Sequence, residues 1–222
     1  MLEQNLKNIF EEINSGNNLG ESITLVGATK TIEIDKINKA ISLGLKVVGD
    51  NKVQEFNEKS PYISNAEFHF IGHLQTNKVK YLIGKVALIH SVDSLRLAEE
   101  ISKQSIKKNV TTNVLIEVNV GGELSKSGIS PNQVEDFYKQ VIKLNNIKVK
   151  GLMAMLPNTN DNNLLKNLCL QMRKEYDKIR LYDSNFEFLS IGMSNDYKIA
   201  IENGSNMIRL GSKIFGARNY NV

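Results

Sequence analysis

Eight short apolar segments alternate with longer amphipathic segments along this chain, and the alternation constrains the fold more than any other feature. The short segments are rich in β-branched residues, which is typical of buried strands. The longer segments carry apolar residues at helical spacing, as at Ile34, Ile37 and Ile41. Ser130-Pro131 and Asp161 are typical helix starts. Strict alternation predicts parallel strands joined by crossover helices. The predicted strands span residues 23–28, 45–48, 68–71, 86–90, 113–118, 147–152, 186–189 and 206–210.

The number of predicted units favours a closed barrel. Eight strand–helix units complete a (β/α)8 barrel of the TIM type, whereas an open doubly wound sheet usually has fewer strands. No proline- or glycine-rich linker and no internal repeat divides the sequence, so we expect residues 1–222 to form a single α/β domain. Leu2, Leu6 and Ile9 have the spacing of one helical face, so we expect residues 1–20 to contain a helix that packs on the barrel.

Composition argues against several classes of function. The formal net charge is +4, but lysines and arginines are spread among acidic residues, so we do not expect nucleic-acid binding. No apolar run approaches the roughly 20 residues that cross a bilayer, and the start lacks a signal-peptide core, so we expect no membrane association. Cys169 is the single cysteine; Leu165, Leu168 and Met172 nearby predict a buried helix position, and the lack of a disulfide favours a cytoplasmic location.

A lysine follows the first predicted strand. In a barrel of this type the functional residues occupy the loops after the strands, and Lys30 lies in the first of these loops. A lysine in a closed, partly desolvated site loses its proton more readily and attacks a carbonyl to form an imine. The alternative is a solvated loop lysine, as expected for most other lysines of the chain.

Small residues follow the last two predicted strands. Gly192-Met193-Ser194 and Gly211-Ser212 lie where barrels of this type often bind phosphate through backbone N–H groups. Glycine and serine are also common helix caps, and each loop alone leaves that alternative open. A phosphate site together with a reactive lysine suits an aldehyde that carries a phosphate, and pyridoxal 5′-phosphate is the obvious candidate.

Seven motifs occur in unbroken order between about residue 23 and residue 220. They are Thr29-Lys30 and the segments 49–55, 69–78, 125–128, 151–153, 192–196 and 209–218. With these motifs the sequence closely resembles the pyridoxal phosphate homeostasis proteins, also called the YggS/PROSC family. The resemblance implies a fold type III barrel like the N-terminal domain of alanine racemase.

The resemblance also implies a cofactor and its site. In this family pyridoxal phosphate is held as an internal aldimine by the lysine that matches Lys30. Members hold, buffer or deliver the cofactor, with apo-enzymes as possible recipients, and no convincing turnover is attributed to them, so we expect no enzyme. The matching positions make Ser194, Gly211 and Ser212 phosphate-side residues, Arg209 the partner of the pyridine nitrogen, and Asn51 and Met193 residues that line the site.

The chemistry of Arg209 agrees with holding rather than turnover. A guanidinium stays charged, so beside the ring nitrogen it disfavours protonation there and weakens the ring as an electron sink. A racemase also needs a second acid–base group, commonly a tyrosine from a separate domain in alanine racemases, and this sequence ends just past the eighth unit. Two enzymes remain as alternatives: an amino-acid racemase or related fold type III enzyme, and an aldolase-like barrel without a cofactor. We expect a monomer, because the barrel closes its own core.

Three positions depart from the commoner family pattern. Asp50 replaces glutamate, Thr31 replaces a frequent lysine and His73 replaces a frequent proline, and we expect all three near the rim. His73 has a general base as its alternative role. His69 and His73 are four apart, but His69 lies within the predicted strand 68–71, so the two do not share a helical face and we expect no metal site. Lys126 is either a second basic group at the mouth or a solvated lysine.

Overall fold

The computed structural model describes residues 1–216 and shows eight parallel strands closed into a barrel. Each strand pairs with the next, and β8 returns to β1, where Thr24 lies opposite Met207. The predicted (β/α)8 fold is confirmed. The strands are β1 (Thr24–Ala28), β2 (Val47–Asp50), β3 (Glu67–Phe70), β4 (Leu88–Val92), β5 (Thr112–Val118), β6 (Ile147–Ala154), β7 (Phe188–Ser190) and β8 (Met207–Leu210).

Helices connect most of the strands on the outside of the barrel. The crossover from β3 to β4 differs from the predicted alternation, because it holds a 3₁₀ helix, Thr76–Tyr81, instead of an α-helix. Asp161 caps α6 as predicted, with its carboxylate accepting from the N–H groups of Asn163 and Leu164. The α-helices are α1 (Leu2–Ile13), α2 (Ile34–Ser42), α3 (Val53–Lys59), α4 (Leu95–Lys107), α5 (Val134–Val141), α6 (Asn162–Arg180), α7 (Tyr197–Glu202) and α8 (Ser212–Phe215).

The amino-terminal helix α1 packs against α2 and α8. Leu6 and Ile9 are buried in a cluster that also contains Ile37 and Ile214. The amide of Asn5 donates to the carbonyl of Ile214 at 3.0 Å. Burying an aliphatic side chain of this size stabilises the fold by about 1.5–3 kcal/mol, so α1 contributes to the stability of the segment that follows β8.

Several strands end later than the apolar runs predict. The second, fourth and sixth strands continue to Asp50, Val92 and Ala154. The residues predicted to begin loops there, such as Asp50 and Ser91, are buried within the ladder. The prediction of these ends was wrong because ladder hydrogen bonding continues past the predicted ends, in β2 and β4 through polar residues that interrupt the apolar pattern.

The barrel interior has an apolar part and a polar part. The apolar part contains Val26, Val47, Ile71, Leu88, Leu115, Met153 and Met207. The polar part contains His69, His90, Glu117, Ser190 and Arg209, all of which are buried. Among residues 1–216, no helix combines the length and the apolar character that crossing a membrane requires.

Candidate functional site at the carboxyl ends of the strands

A cavity of about 1020 Å³ lies at the carboxyl ends of the barrel strands. The loops after β6, β7 and β8 supply most of its wall, as expected for a barrel whose strands converge at one mouth. Six of the seven residues predicted from the sequence lie on this wall. They are Asn51, Met193, Ser194, Arg209, Gly211 and Ser212.

Lys30 is the predicted residue that the cavity wall does not include. It is half-buried on the turn after β1, two residues beyond Ala28, which does line the cavity. β1 ends at Ala28, so Lys30 lies just past the carboxyl end of the strand, which is the end where the cavity lies. The structure therefore places the Lys30 backbone at the mouth of the cavity.

The turn that carries Lys30 is held by its neighbours. Thr31 has a φ of 63°, in the left-handed region, and its N–H donates to Glu55 Oε1 at 2.5 Å. The ammonium of Lys59 donates to the carbonyl of Thr29 at 2.9 Å and pairs with Glu55. Because these contacts hold Thr29 and Thr31, the backbone of Lys30 between them has a defined position.

Asp50 lies behind this turn and not at the rim, so the predicted rim position was wrong. The hydroxyl of Thr29 donates to Asp50 Oδ1 at 2.6 Å, and it also lies 3.1 Å from the carbonyl oxygen of Gly49. Burial raises the pKa of Asp50, and the hydrogen bond from Thr29 and the charge of Lys59 partly offset that rise. Asp50 thus ties β2 to the residue before Lys30.

The loop after β7 depends on a glycine. Gly192 has a φ of 110°, and a Cβ there would lie 2.9 Å from the Cα of Tyr197. Beyond it, the N–H of Met193 donates to Asp196 Oδ1 at 2.5 Å, and the N–H of Asp196 returns to the Met193 carbonyl at 3.1 Å. Burial raises the pKa of Asp196, and its bond from Met193 opposes the rise. The loop is therefore closed on itself beside the cavity.

Three residues that line this cavity have backbone N–H groups without protein partners in the part of the chain that the structure describes. Ser194 and Lys213 join the loops after β7 and β8, because Ser194 Oγ accepts from the Lys213 N–H at 3.4 Å. Within residues 1–216, the N–H groups of Ser194, Asn195 and Ser212 donate to no protein acceptor. Free amides and hydroxyls on adjacent loops suit a phosphate group. The predicted phosphate-side residues therefore have the chemistry that an anion requires.

Arg209 is the buried cation of the site. Its Nη1 donates to the carbonyl and the hydroxyl of Ser190 at 2.9 and 2.6 Å, and its Nη2 donates to the carbonyl of Ala154 at 3.0 Å. Burial lowers the pKa of Arg209 to about 10, and the negative charges of Asp196 and Glu117 oppose this lowering. The guanidinium therefore stays charged at neutral pH. No carboxylate of residues 1–216 hydrogen-bonds to it, so the guanidinium is not held by a simple ion pair.

Comparison with known proteins identifies the family. Residues 5–219 match the family described as alanine racemase, N-terminal domain. A relative from Aquifex aeolicus, named pyridoxal phosphate homeostasis protein, is 44% identical over 199 residues, which cover 88% of this chain and 87% of the relative. The chain belongs to the pyridoxal phosphate homeostasis protein family. The resemblance predicted from the motifs is thereby confirmed, although Ala217 and Arg218 of the last motif lie outside the described residues.

Two solved structures share the fold of this pyridoxal phosphate homeostasis family member. One is a crystal structure of an unknown protein from Bifidobacterium adolescentis, with a TM-score of 0.90 and 30% identity, covering 96% of this chain and 94% of that chain. The other is PipY from Synechococcus elongatus with PLP bound, with a TM-score of 0.84 and 24% identity, covering 97% of this chain and all of PipY. Both similarities extend over the whole barrel.

Sequence reasoning missed one wall of this family member's site and a buried acid in the barrel interior. The loop of residues 155–160 after β6 forms one wall, and its proline and asparagines after a predicted strand were the available signal. Glu117 was hidden in an apolar strand; burial and the charge of Asp93 raise its pKa to about 7. Its Oε2 is buried without a partner among residues 1–216. A buried acid inside an apolar run is itself a signal of function.

The structure also shows the surroundings of His73, Lys126 and Cys169. His73 is exposed at the rim, with Nδ1 3.1 Å from Ser127 Oγ and 3.6 Å from Asp93 Oδ2. Lys126 is not a freely solvated lysine, because its ammonium donates to Glu123 at 2.7 Å and to the Leu156 carbonyl at 3.1 Å. Cys169 is buried as predicted, and burial raises its pKa to about 12. Residues 1–216 contain no group of three or more potential metal ligands.

Proposed function

We propose that this protein binds pyridoxal 5′-phosphate in the carboxyl-end cavity, attached to Lys30, and takes part in keeping the cofactor available inside the cell. One observation carries the proposal: the free backbone amides of Ser194, Asn195 and Ser212 line the same cavity as the buried guanidinium of Arg209. A phosphate and an acceptor nitrogen on one small molecule match these two donor sets.

Each predicted residue has a part in this proposal. The loops of Ser194 and of Gly211-Ser212 hold the phosphate, while Asn51 and Met193 enclose the ring. Arg209 keeps two of its five N–H donors beyond the three bonds described, and one of them would donate to the pyridine nitrogen. The bound cofactor supplies an aldehyde that condenses with a primary amine. Lys30 supplies that amine from the turn held by Glu55 and Lys59.

The names of relatives support a role in holding the cofactor and not in turnover. The Aquifex relative is named a pyridoxal phosphate homeostasis protein, and a structure of PipY has PLP bound. We propose that the protein is not an enzyme, that it works in the cytoplasm as a single-domain monomer, and that apo-enzymes receive its cofactor. The racemase alternative has less support, because the curated relatives carry the homeostasis name.

Loading and delivery test this function together. Protein reconstituted with pyridoxal phosphate is mixed with the apo form of a pyridoxal-phosphate-dependent enzyme that acts on amino acids. The recovery of that enzyme's activity is then measured. We expect recovery with the loaded protein and no change in a panel of D- and L-amino acids incubated with the protein alone. Sustained racemisation would favour the racemase. Failure to take up the cofactor, combined with borohydride trapping of a sugar phosphate, would favour the aldolase-like alternative.

A further inference from the structure

A second cavity lies at the opposite mouth of the barrel, where the strands begin. Its volume is about 1010 Å³, which is large enough to hold a small ligand. Much of its wall is apolar. The apolar residues include Phe10, Ile13, Ile23, Leu88, Phe188 and Met207. Two aromatic rings and a thioether favour a flat, polarisable molecule over an aliphatic chain.

The charged side chains around this amino-terminal cavity balance one another. Lys46 and Lys150 are its cations, and Glu67 and Glu187 are its anions. Lys150 and Glu187 form an ion pair of 2.6 Å, so this pair offers no net charge to a ligand. A lining with equal numbers of both signs gives no preference to an anion or a cation, which favours a neutral ligand.

His69 is the buried polar group on the cavity wall. Only 4% of the residue is exposed, and its Nδ1 lies 2.9 Å from His90 Nε2. Its Nε2 has no hydrogen-bond partner within residues 1–216, although the residue lines the cavity. Burial lowers the pKa of His69 to about 4, so the ring is neutral near pH 7. A ligand in this cavity therefore meets one neutral imidazole nitrogen.

The hydrogen bonds behind His69 decide which nitrogen carries its proton. Arg209 has no acceptor atom, so its Nη1 donates to Ser190 Oγ at 2.6 Å. The Ser190 hydroxyl then needs an acceptor, and His90 Nδ1, at 3.3 Å, is its other partner among residues 1–216. His90 must consequently carry its proton on Nε2 and donate it to His69 Nδ1. His69 then also carries its proton on Nε2. This Nε2–H is the donor that the residue offers to the cavity.

We propose that the amino-terminal cavity is a second binding site, which takes a small neutral aromatic molecule whose acceptor atom receives the Nε2–H of His69. The buried charge of Arg209 fixes the direction of the chain, because each group from Ser190 to His69 donates to the next. The site does not depend on the proposed function, since it lies at the other end of the barrel.

Nuclear magnetic resonance tests the proposal with benzamide, a neutral aromatic amide whose carbonyl is an acceptor. The chain has three histidines, so the ring nitrogens of the ¹⁵N-labelled protein are resolvable. We expect both His69 and His90 to be Nε2–H tautomers, and we expect benzamide to shift His69 Nε2 and to show contacts with the rings of Phe10 and Phe188. Benzoate and benzylamine should bind at least tenfold more weakly.

Two variants complete the test. His69→Phe should weaken benzamide binding at least tenfold, and His73→Phe, at the opposite mouth, should leave it unchanged. If His69→Phe does not fold, the tautomers and ligand contacts of the unaltered protein decide. A His69 proton on Nδ1, equal affinity for benzoate, or benzamide contacts away from Phe10 and Phe188 would each overturn the proposal.

Discussion

Arg209 and Ser190 are joined twice, since Nη1 of the arginine donates to both the hydroxyl and the carbonyl of the serine. The two bonds fix the guanidinium against β7, and the hydroxyl extends the contact to His90. One side chain thereby links the carboxyl-end cavity to the polar interior of the barrel. The positions of both the cavity cation and the interior histidines depend on Ser190.

Ser190→Ala removes the hydroxyl from this contact. We expect a loss of about 2 kcal/mol in the free energy of unfolding, because a hydrogen bond to a charged group is lost in a buried place. Urea denaturation measures the loss. Ser91→Ala is the matched control: its hydroxyl is buried without a partner among residues 1–216, so its removal should cost little. Equal losses in the two variants would contradict the account.

Arg209→Lys keeps the charge and changes the geometry. A lysine ammonium cannot reproduce the planar bonds to Ser190 and Ala154. We expect the variant to lose about 3 kcal/mol of stability and to bind pyridoxal phosphate at least tenfold more weakly, as followed by denaturation and by cofactor fluorescence. Arg96→Lys, on the exposed face of α4, should stay within about 0.5 kcal/mol of the parent. Unchanged cofactor affinity in Arg209→Lys would remove Arg209 from the site.

Gly192→Ala places a Cβ against the start of α7. The added atom would lie 2.9 Å from the Cα of Tyr197, and the φ of 110° is strained for alanine. We expect a loss of at least about 2 kcal/mol and weaker binding of inorganic phosphate, measured by denaturation and by calorimetry. Gly20→Ala is the control that separates backbone strain from the steric clash. Gly20 also has a positive φ, 75°, but no atom of residues 1–216 lies within 4 Å of its Cβ position. A Gly192 variant no worse than the Gly20 variant would contradict the predicted clash.

Glu117 makes stability depend on pH. Its pKa is raised from 4.5 to about 7 by burial and by the charge of Asp93, with Arg209 opposing. Between these two pH values the folded protein keeps a proton that the unfolded chain releases. The contribution of Glu117 to the free energy of unfolding therefore falls as pH rises from about 4.5 to about 7. Glu117→Gln should be more stable than the parent by about 1–3 kcal/mol at pH 8 and nearly equal at pH 4. Parallel stability profiles over this range would show that Glu117 does not titrate in it.

The sequence predicted the barrel and most of the cavity wall for a physical reason. Alternating periodicities specify strands and helices, and barrel topology then brings Asn51, Ser194 and Ser212 to one mouth without any knowledge of contacts. The chain from Arg209 to His69 could not be predicted, because Ser190 and His90 are 100 residues apart and lie in apolar strands. Asp50 was misplaced because its burial depends on Thr29, which is a tertiary contact.

The central claim is that Lys30 is the attachment point of pyridoxal phosphate. The most direct measurement is reduction of the reconstituted protein with borohydride, followed by digestion and mass spectrometry of the labelled peptide. The account predicts a label confined to Lys30, a visible absorption band that disappears in Lys30→Ala, and a band that persists in the matched control Lys126→Ala. A label on another lysine, with the band retained in Lys30→Ala, would contradict it.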